Sequence, residues 1–309
     1  MELRQFCSQS RVVIVAGKGG VGKTTVTAAL ALAATRAGLS VLICEIEGKS
    51  GLTAAFGQPD LSYEEVELAS RLQARTLSPD AALVDYLESH GMKRISKRLA
   101  TSGALDVVAT AVPGMKDILV LGKVKSLEQL PAADLIVVDA PAAGHAISFL
   151  LSAQGLLDAI RVGPIRKQAT DVVELLTDPA RCQVMLVTLP EETPVNELVE
   201  TAYAIEDRAG VALGPIIVNG CIADLAPANE NAFADLTAMG CDDATIAAAQ
   251  HAAAFRAQRH ASQEVQRARL RQALPLPQIN LPQLFTAQIG PDELAQLADA
   301  FADGIAAIS

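Results

Sequence analysis

Val12-Val13-Ile14-Val15-Ala16-Gly17-Lys18-Gly19-Gly20-Val21-Gly22-Lys23-Thr24-Thr25, VVIVAGKGGVGKTT, runs from a short apolar segment through a glycine-rich loop. An alanine- and leucine-rich stretch follows, TVTAALALAATR from Thr25 to Arg36. The order predicts a buried strand over Val12–Ala16, a loop, and then a helix.

Gly17 to Thr24 fits G-x-x-x-x-G-K-[ST], a loop whose chemistry is phosphate cradling. Gly17, Gly19, Gly20 and Gly22 let backbone N–H groups converge on phosphate oxygens with no Cβ in the way, and Val21 adds its own amide. Lys23 is placed to reach the β- and γ-phosphates, and Thr24 offers a hydroxyl to Mg²⁺. Thr25 and the helix N-terminus lie under the same phosphates. Lys18 is surplus to that task. On residue grounds two readings stand: a solvated charge that strengthens the local field, or an ammonium that reaches a partner chain's nucleotide.

Further apolar runs alternate with helical stretches: Leu39–Ile46, Leu135–Asp139, Cys182–Leu189, Pro215–Asn219 and a weaker Leu276–Leu281. Continuous β-branched runs separated by helices predict a doubly wound, mostly parallel α/β sheet with helical insertions. Glu64–Leu77 reads as a small extra hairpin. We expect one domain over residues 1–309, with a helical insertion at about 79–130 and a helix-rich segment at about 228–272.

Two strand ends carry chemistry. Glu45 and Glu47 are two apart and share a face, one suited to a Mg²⁺-bound water and the other to the attacking water; exposed loop acids are the plainer reading. Asp139 closes LIVVD and suits water-mediated Mg²⁺ orientation, against a helix N-cap. Gly144 would let the following loop approach the γ-phosphate. His145 is a switch candidate or a turn histidine. Asn219, before Gly220, can donate and accept toward an adenine edge or serve as a turn residue.

The chain has 309 residues, 50% of them hydrophobic, and a formal net charge of −10. That acidity argues against nucleic acid as a partner. The five cysteines lack C-x-x-C spacing, which reads as reduced cytosolic thiols with no zinc pattern. No apolar run reaches the ~18 residues of a membrane span, and no signal-peptide layout opens the chain, so any membrane role is peripheral. Lys93, Arg94, Lys97 and Arg98 make a basic helical face, for anionic lipid, an acidic partner or simply solvent. Met92 and Met115 read as core residues rather than as the lining of an apolar groove.

GKGGVGKTT resembles the deviant Walker A loop of the P-loop ATPase class that includes nitrogenase iron protein and the MinD and ParA proteins. VVDAPAAGHAISFL, TLPEETPVNELVET and VPGMKDILVLGKVKSLEQL narrow it. The chain resembles the ArsA-like family of arsenite-transporter and tail-anchored-protein-targeting ATPases, and IEGKSGLTAAF is nearest to its single-domain bacterial members. The resemblance implies ATP/ADP and Mg²⁺ as cofactors, Lys18 acting in trans, and a dimer of this chain with itself or a paralogue that sandwiches nucleotide. It implies a protein client, Glu47 in the catalytic switch I position, Asp139 on Mg²⁺, Asn219 on adenine, and a switch II segment containing Pro141, Gly144 and His145. Three departures stand out. Glu47 occupies a position usually held by Asp, Ala142-Ala143 replaces Pro-Thr in switch II, and the metalloid-binding cysteines have no counterparts. The expectation is a Mg²⁺-dependent ATPase switch, with a weakly hydrolysing regulatory subunit as the alternative.

Overall fold

The apolar runs assemble into one eight-stranded sheet. In the computed structural model, which describes residues 2–46, 51–58, 61–89, 91–92, 94, 114–130, 133–224 and 230–308, the strands are β1 Val12–Gly17, β2 Val41–Ile46, β3 Val66–Ala69, β4 Leu72–Leu77, β5 Leu135–Ala142, β6 Cys182–Thr188, β7 Ile216–Cys221 and β8 Gln278–Pro282. Their order across the sheet is β3-β4-β2-β5-β1-β6-β7-β8. Every neighbouring pair is parallel except β3 and β4, which form the expected hairpin. That hairpin joins the sheet edge, because β4 pairs in parallel with β2.

Each strand alternates its side chains between two apolar layers, as the pleat requires. On one face Val13, Val15, Ile43, Val137 and Met185 pack under α2 (Lys23–Arg36), the helix after the short α1 (Leu3–Cys7), and under the C-terminal helix Pro291–Ala307. On the other, Val12, Ile14, Cys44, Val138 and Leu186 pack under helices Met115–Glu128, Ala143–Ala159 and Pro164–Thr177. Helix α2 is buried nearly all round, including Ala28, Ala29, Ala31, Ala33 and Ala34. Small side chains let it lie close to the sheet, while Pro291–Ala307, which also packs on β8, flanks it.

The region about 79–130 contributes Pro79–Ser89 and Met115–Glu128, with Met115 in the core. The late helical segment contains Glu230–Ala238 and the 31-residue helix Asp243–Ala273. Two elements depart from the sequence expectation. The Leu135 strand runs on to Ala142, and a helix starts at Ala143, so Gly144 sits in a first helical turn instead of a loop. The C-terminal helix was not anticipated, although Leu294, Leu297, Ala298, Phe301 and Ile305 trace its buried stripe. Glu47, Lys93, Lys97 and Arg98 lie outside the described residues. Among the described residues no helix is long and apolar enough to cross a membrane.

Candidate functional site

The site forms where β1 ends at the centre of the sheet. Gly17 is the last residue of that fully buried strand. A Cβ there would lie 2.4 Å from the Val187 carbonyl oxygen on β6, so only glycine lets the two strands stay paired. The loop then turns through Gly20 at φ 82° and Gly22 at φ 88°, both in the left-handed region that favours glycine. Gly22 caps the N-terminus of α2, and a Cβ on it would lie 2.3 Å from Asn219 Nδ2. Gly19 differs: nothing of the chain lies within 4 Å of a Cβ built there. The space beside Gly19 and Gly20 is thus open, and a ligand could approach the loop amides there at a helix N-terminus.

Lys23 begins α2 and is only 9% exposed. Its ammonium donates to the Lys18 carbonyl oxygen at 3.1 Å and so ties the end of the loop to its start. Asn219 lies within β7 and is not merely a turn residue: its Nδ2 donates to the Val21 carbonyl oxygen at 2.9 Å. Gln263, on the long helix Asp243–Ala273, secures the segment after Asn219. Its Nε2 donates to the Gly220 carbonyl at 3.1 Å, and its Oε1 accepts from the Ile222 N–H at 2.8 Å. Nothing in the sequence pointed to Gln263, because its partners are backbone groups.

Thr24, one residue into α2, faces β5. Its hydroxyl donates to Asp139 Oδ2 at 2.6 Å. Asp139 lies within a strand, which removes the helix N-cap reading. Glu45 is in register with Asp139 on the neighbouring strand and faces the same α2-side layer. Both carboxylates are buried, Glu45 at 2% and Asp139 at 5% exposure. Gly51 returns the chain to this spot: a Cβ on it would stand 3.6 Å from the Thr24 methyl. The donors thus brought together are all oxygens, a hydroxyl and two carboxylates. That set suits a hard cation such as Mg²⁺, which takes one or two carboxylates and completes its shell with phosphate and water.

Pro141 ends up buried in β5, and His145 is exposed in the first turn of the following helix. A cleft of about 490 Å³ opens beside them, walled by Ile46, Leu77, Val120 and Phe149. Asp117 also lines it, and burial raises its carboxyl above the usual range, partly opposed by the charge of His145. Lys18 takes its ion-pair partner from a different element than Thr24 does. Its Nζ stands 2.9 Å from Glu197 Oε1 on helix Glu192–Ala204, with the two side chains 44% and 31% exposed. This pairing was not legible in the sequence.

The comparisons agree with the geometry. A family model described as Anion-transporting ATPase matches residues 10–162, which contain β1, the glycine loop, Asp139 and His145. The ATPase BagA of Mycobacterium tuberculosis is 36% identical over 223 residues, 68% of this chain and 64% of that protein. The ATPase GET3 of Paracoccidioides lutzii is 31% identical over 147 residues, 45% of this chain and 42% of that one. The chain thus spans just under two thirds of BagA's length. With a glycine loop at the sheet's centre backed by a buried Thr–Asp pair, these likenesses identify the chain as a member of the ArsA-like, anion-transporting ATPase family.

Proposed function

We propose that this protein is a Mg²⁺-dependent, ATP-hydrolysing dimeric switch that couples its nucleotide state to the binding or delivery of a protein client. The observation that carries the reading is the 2.6 Å contact between Thr24 and Asp139 beneath the glycine loop. A hydroxyl and a buried carboxylate held together at a helix N-terminus make an oxygen site beside a phosphate cradle.

In this reading the amides of Gly19 to Thr25 and the Lys23 ammonium bind the phosphates and neutralise them. Mg²⁺ bound beside Thr24, Asp139 and Glu45 would supply positive charge against the charge that develops on the phosphates. Thr24 would supply one ligand oxygen to it, while Asp139 and Glu45 would accept hydrogen bonds from its waters. Glu47 positions the attacking water. Asn219 has its Nδ2 engaged with Val21, so a contact to the adenine amino group would fall to its Oδ1. Lys18 acts on the nucleotide of a second chain. The rate gain comes from positioning and fixed charge, with little covalent chemistry for the protein to perform. Pro141, Gly144 and His145 follow Asp139 in the chain and would carry a nucleotide-dependent change at that residue outward.

Steady-state ATP turnover by the purified protein tests this reading. Mg²⁺-dependent hydrolysis that falls on Glu47→Ala supports it. ATP that stays bound and intact for hours with Mg²⁺ present refutes hydrolysis and leaves the regulatory-subunit reading, which Glu47 and Ala142-Ala143 motivate.

A further inference from the structure

We propose that Glu197 is the positioning residue for Lys18: it holds the lysine within its own chain until a nucleotide-loaded partner takes the ammonium over. The inference rests on the proposed function, in which Lys18 acts across the seam of a dimer (the seam reading).

The loop leaves Lys18 little backbone freedom. Gly17, just before it, is wedged against the Val187 carbonyl, and its own carbonyl is held by Lys23. What can move is the side chain, four methylenes and an ammonium. That ammonium sits 2.9 Å from Glu197 Oε1, the single ion pair either residue makes among the described residues. Glu197 is on a firmly placed helix. Thr201 donates to the Glu197 carbonyl oxygen at 2.7 Å, Arg259 pairs with Glu191 at 3.0 Å, and Arg269 hydrogen-bonds Asn196. The last two contacts fasten the helix to Asp243–Ala273, so Glu197 is a fixed post and Lys18 a swinging arm.

One ammonium cannot serve both destinations. Engaging a partner's phosphates requires breaking the Glu197 contact, once in each protomer of a symmetric pair. The contact is partly exposed, so it delays the exchange without preventing it. Exposed ion pairs shift an equilibrium by about 1.5- to 5-fold. Two of them, broken together, shift the dimerisation constant by about 2- to 25-fold.

The test measures dimerisation against protein concentration by sedimentation velocity, at saturating non-hydrolysable ATP analogue and Mg²⁺. The chains are wild type, Glu197→Gln, Lys18→Ala and the double variant, each checked by thermal melting. Glu197→Gln, melting as wild type, should reach half-dimer at a concentration lower by that factor, and an equal mixture with wild type should fall between. A normally melting Glu197→Gln chain that needs the same or a higher concentration overturns the proposal. So does a shift that survives in the Lys18→Ala background, since Glu197 would then act without the lysine. If Lys18→Ala dimerises as well as wild type, the seam reading fails and the inference with it. If Lys18→Ala fails to dimerise while Glu197→Gln matches wild type, the inference alone is lost.

Discussion

Thr24 and Asp139 stand 115 positions apart in the chain, yet the hydroxyl of one donates to the carboxylate of the other at 2.6 Å. Parallel pairing of β1 with β5 makes this contact, because it sets Val15 level with Asp139 just where the chain leaves the sheet for the loop. Thr24→Ala removes the hydroxyl, and Asp139→Asn keeps the shape while removing the charge. Each should cut Mg²⁺-dependent turnover on the order of 10²-fold or more. Turnover titrated against Mg²⁺ checks this, and both variants should need more Mg²⁺ for half-maximal rate.

The loop glycines separate folding from binding. Gly17→Ala drives a methyl to 2.4 Å from a backbone carbonyl, which β6 cannot yield without losing its pairing. It should lower stability by about 1–3 kcal/mol. Gly19→Ala meets nothing of the chain within 4 Å, so it should melt within about 0.5 kcal/mol of wild type. The same methyl would stand in the way of a phosphate approaching the loop amides, and nucleotide affinity should drop at least about tenfold. Melting curves and calorimetric nucleotide titration read the two effects apart.

Glu47→Ala should leave nucleotide binding near wild type and reduce turnover by about 10²- to 10⁴-fold, the range for removing a group that handles the reacting proton. Glu47→Asp, which restores the residue usual at this position in the resembling ATPases, should keep most of the activity. A Glu47→Ala chain that hydrolyses ATP at the wild-type rate would assign the attacking water to another residue.

The buried thiols set an alkaline limit. Burial pushes Cys7, Cys44 and Cys182 up to about 12, and Cys221 up to about 11. An unfolded thiol titrates near ~8.5. Below that value both states keep the proton and the thiols place no pH dependence on stability. Above it the unfolded chain releases protons that the folded chain retains, so stability falls by up to about 1.4 kcal/mol per thiol per pH unit until the folded thiols titrate. Melting temperatures between about pH 8 and 10.5 should decline, and less steeply in Cys44→Ala and Cys182→Ala, although each starts lower from its lost packing.

The central strands were legible because buried parallel strands are written as uninterrupted β-branched runs, and VVIVAG and LIVVD are such runs. The loop was legible because its residue types answer to backbone geometry, as Gly17 and Gly22 show. The Glu64–Leu77 hairpin was also read, although its attachment to β2 depends on contacts that a local pattern does not encode. The helix at Ala143 was missed because the Pro141–His145 segment was read as a switch loop, and small residues there permit either state. Glu197 and Gln263 were missed for another reason. Each sits on a helix whose periodicity says only that it is helical, and their partners, Lys18 and the backbone around Gly220, arrive from distant strands through topology.

The central claim, that Lys18 serves the nucleotide of a second chain, is tested most directly by complementation. Lys18→Ala and Asp139→Asn chains should each be inactive alone. In a mixed dimer, the nucleotide on the Lys18→Ala chain meets its own Asp139 and the partner's intact Lys18. Equal mixing should therefore restore ATP turnover, to about a quarter of wild type where the chains pair at random, since half the dimers are then mixed and each holds one complete site. Turnover that stays at the level of the separate variants, with mixed dimers shown to form, would contradict the account and return Lys18 to its own chain.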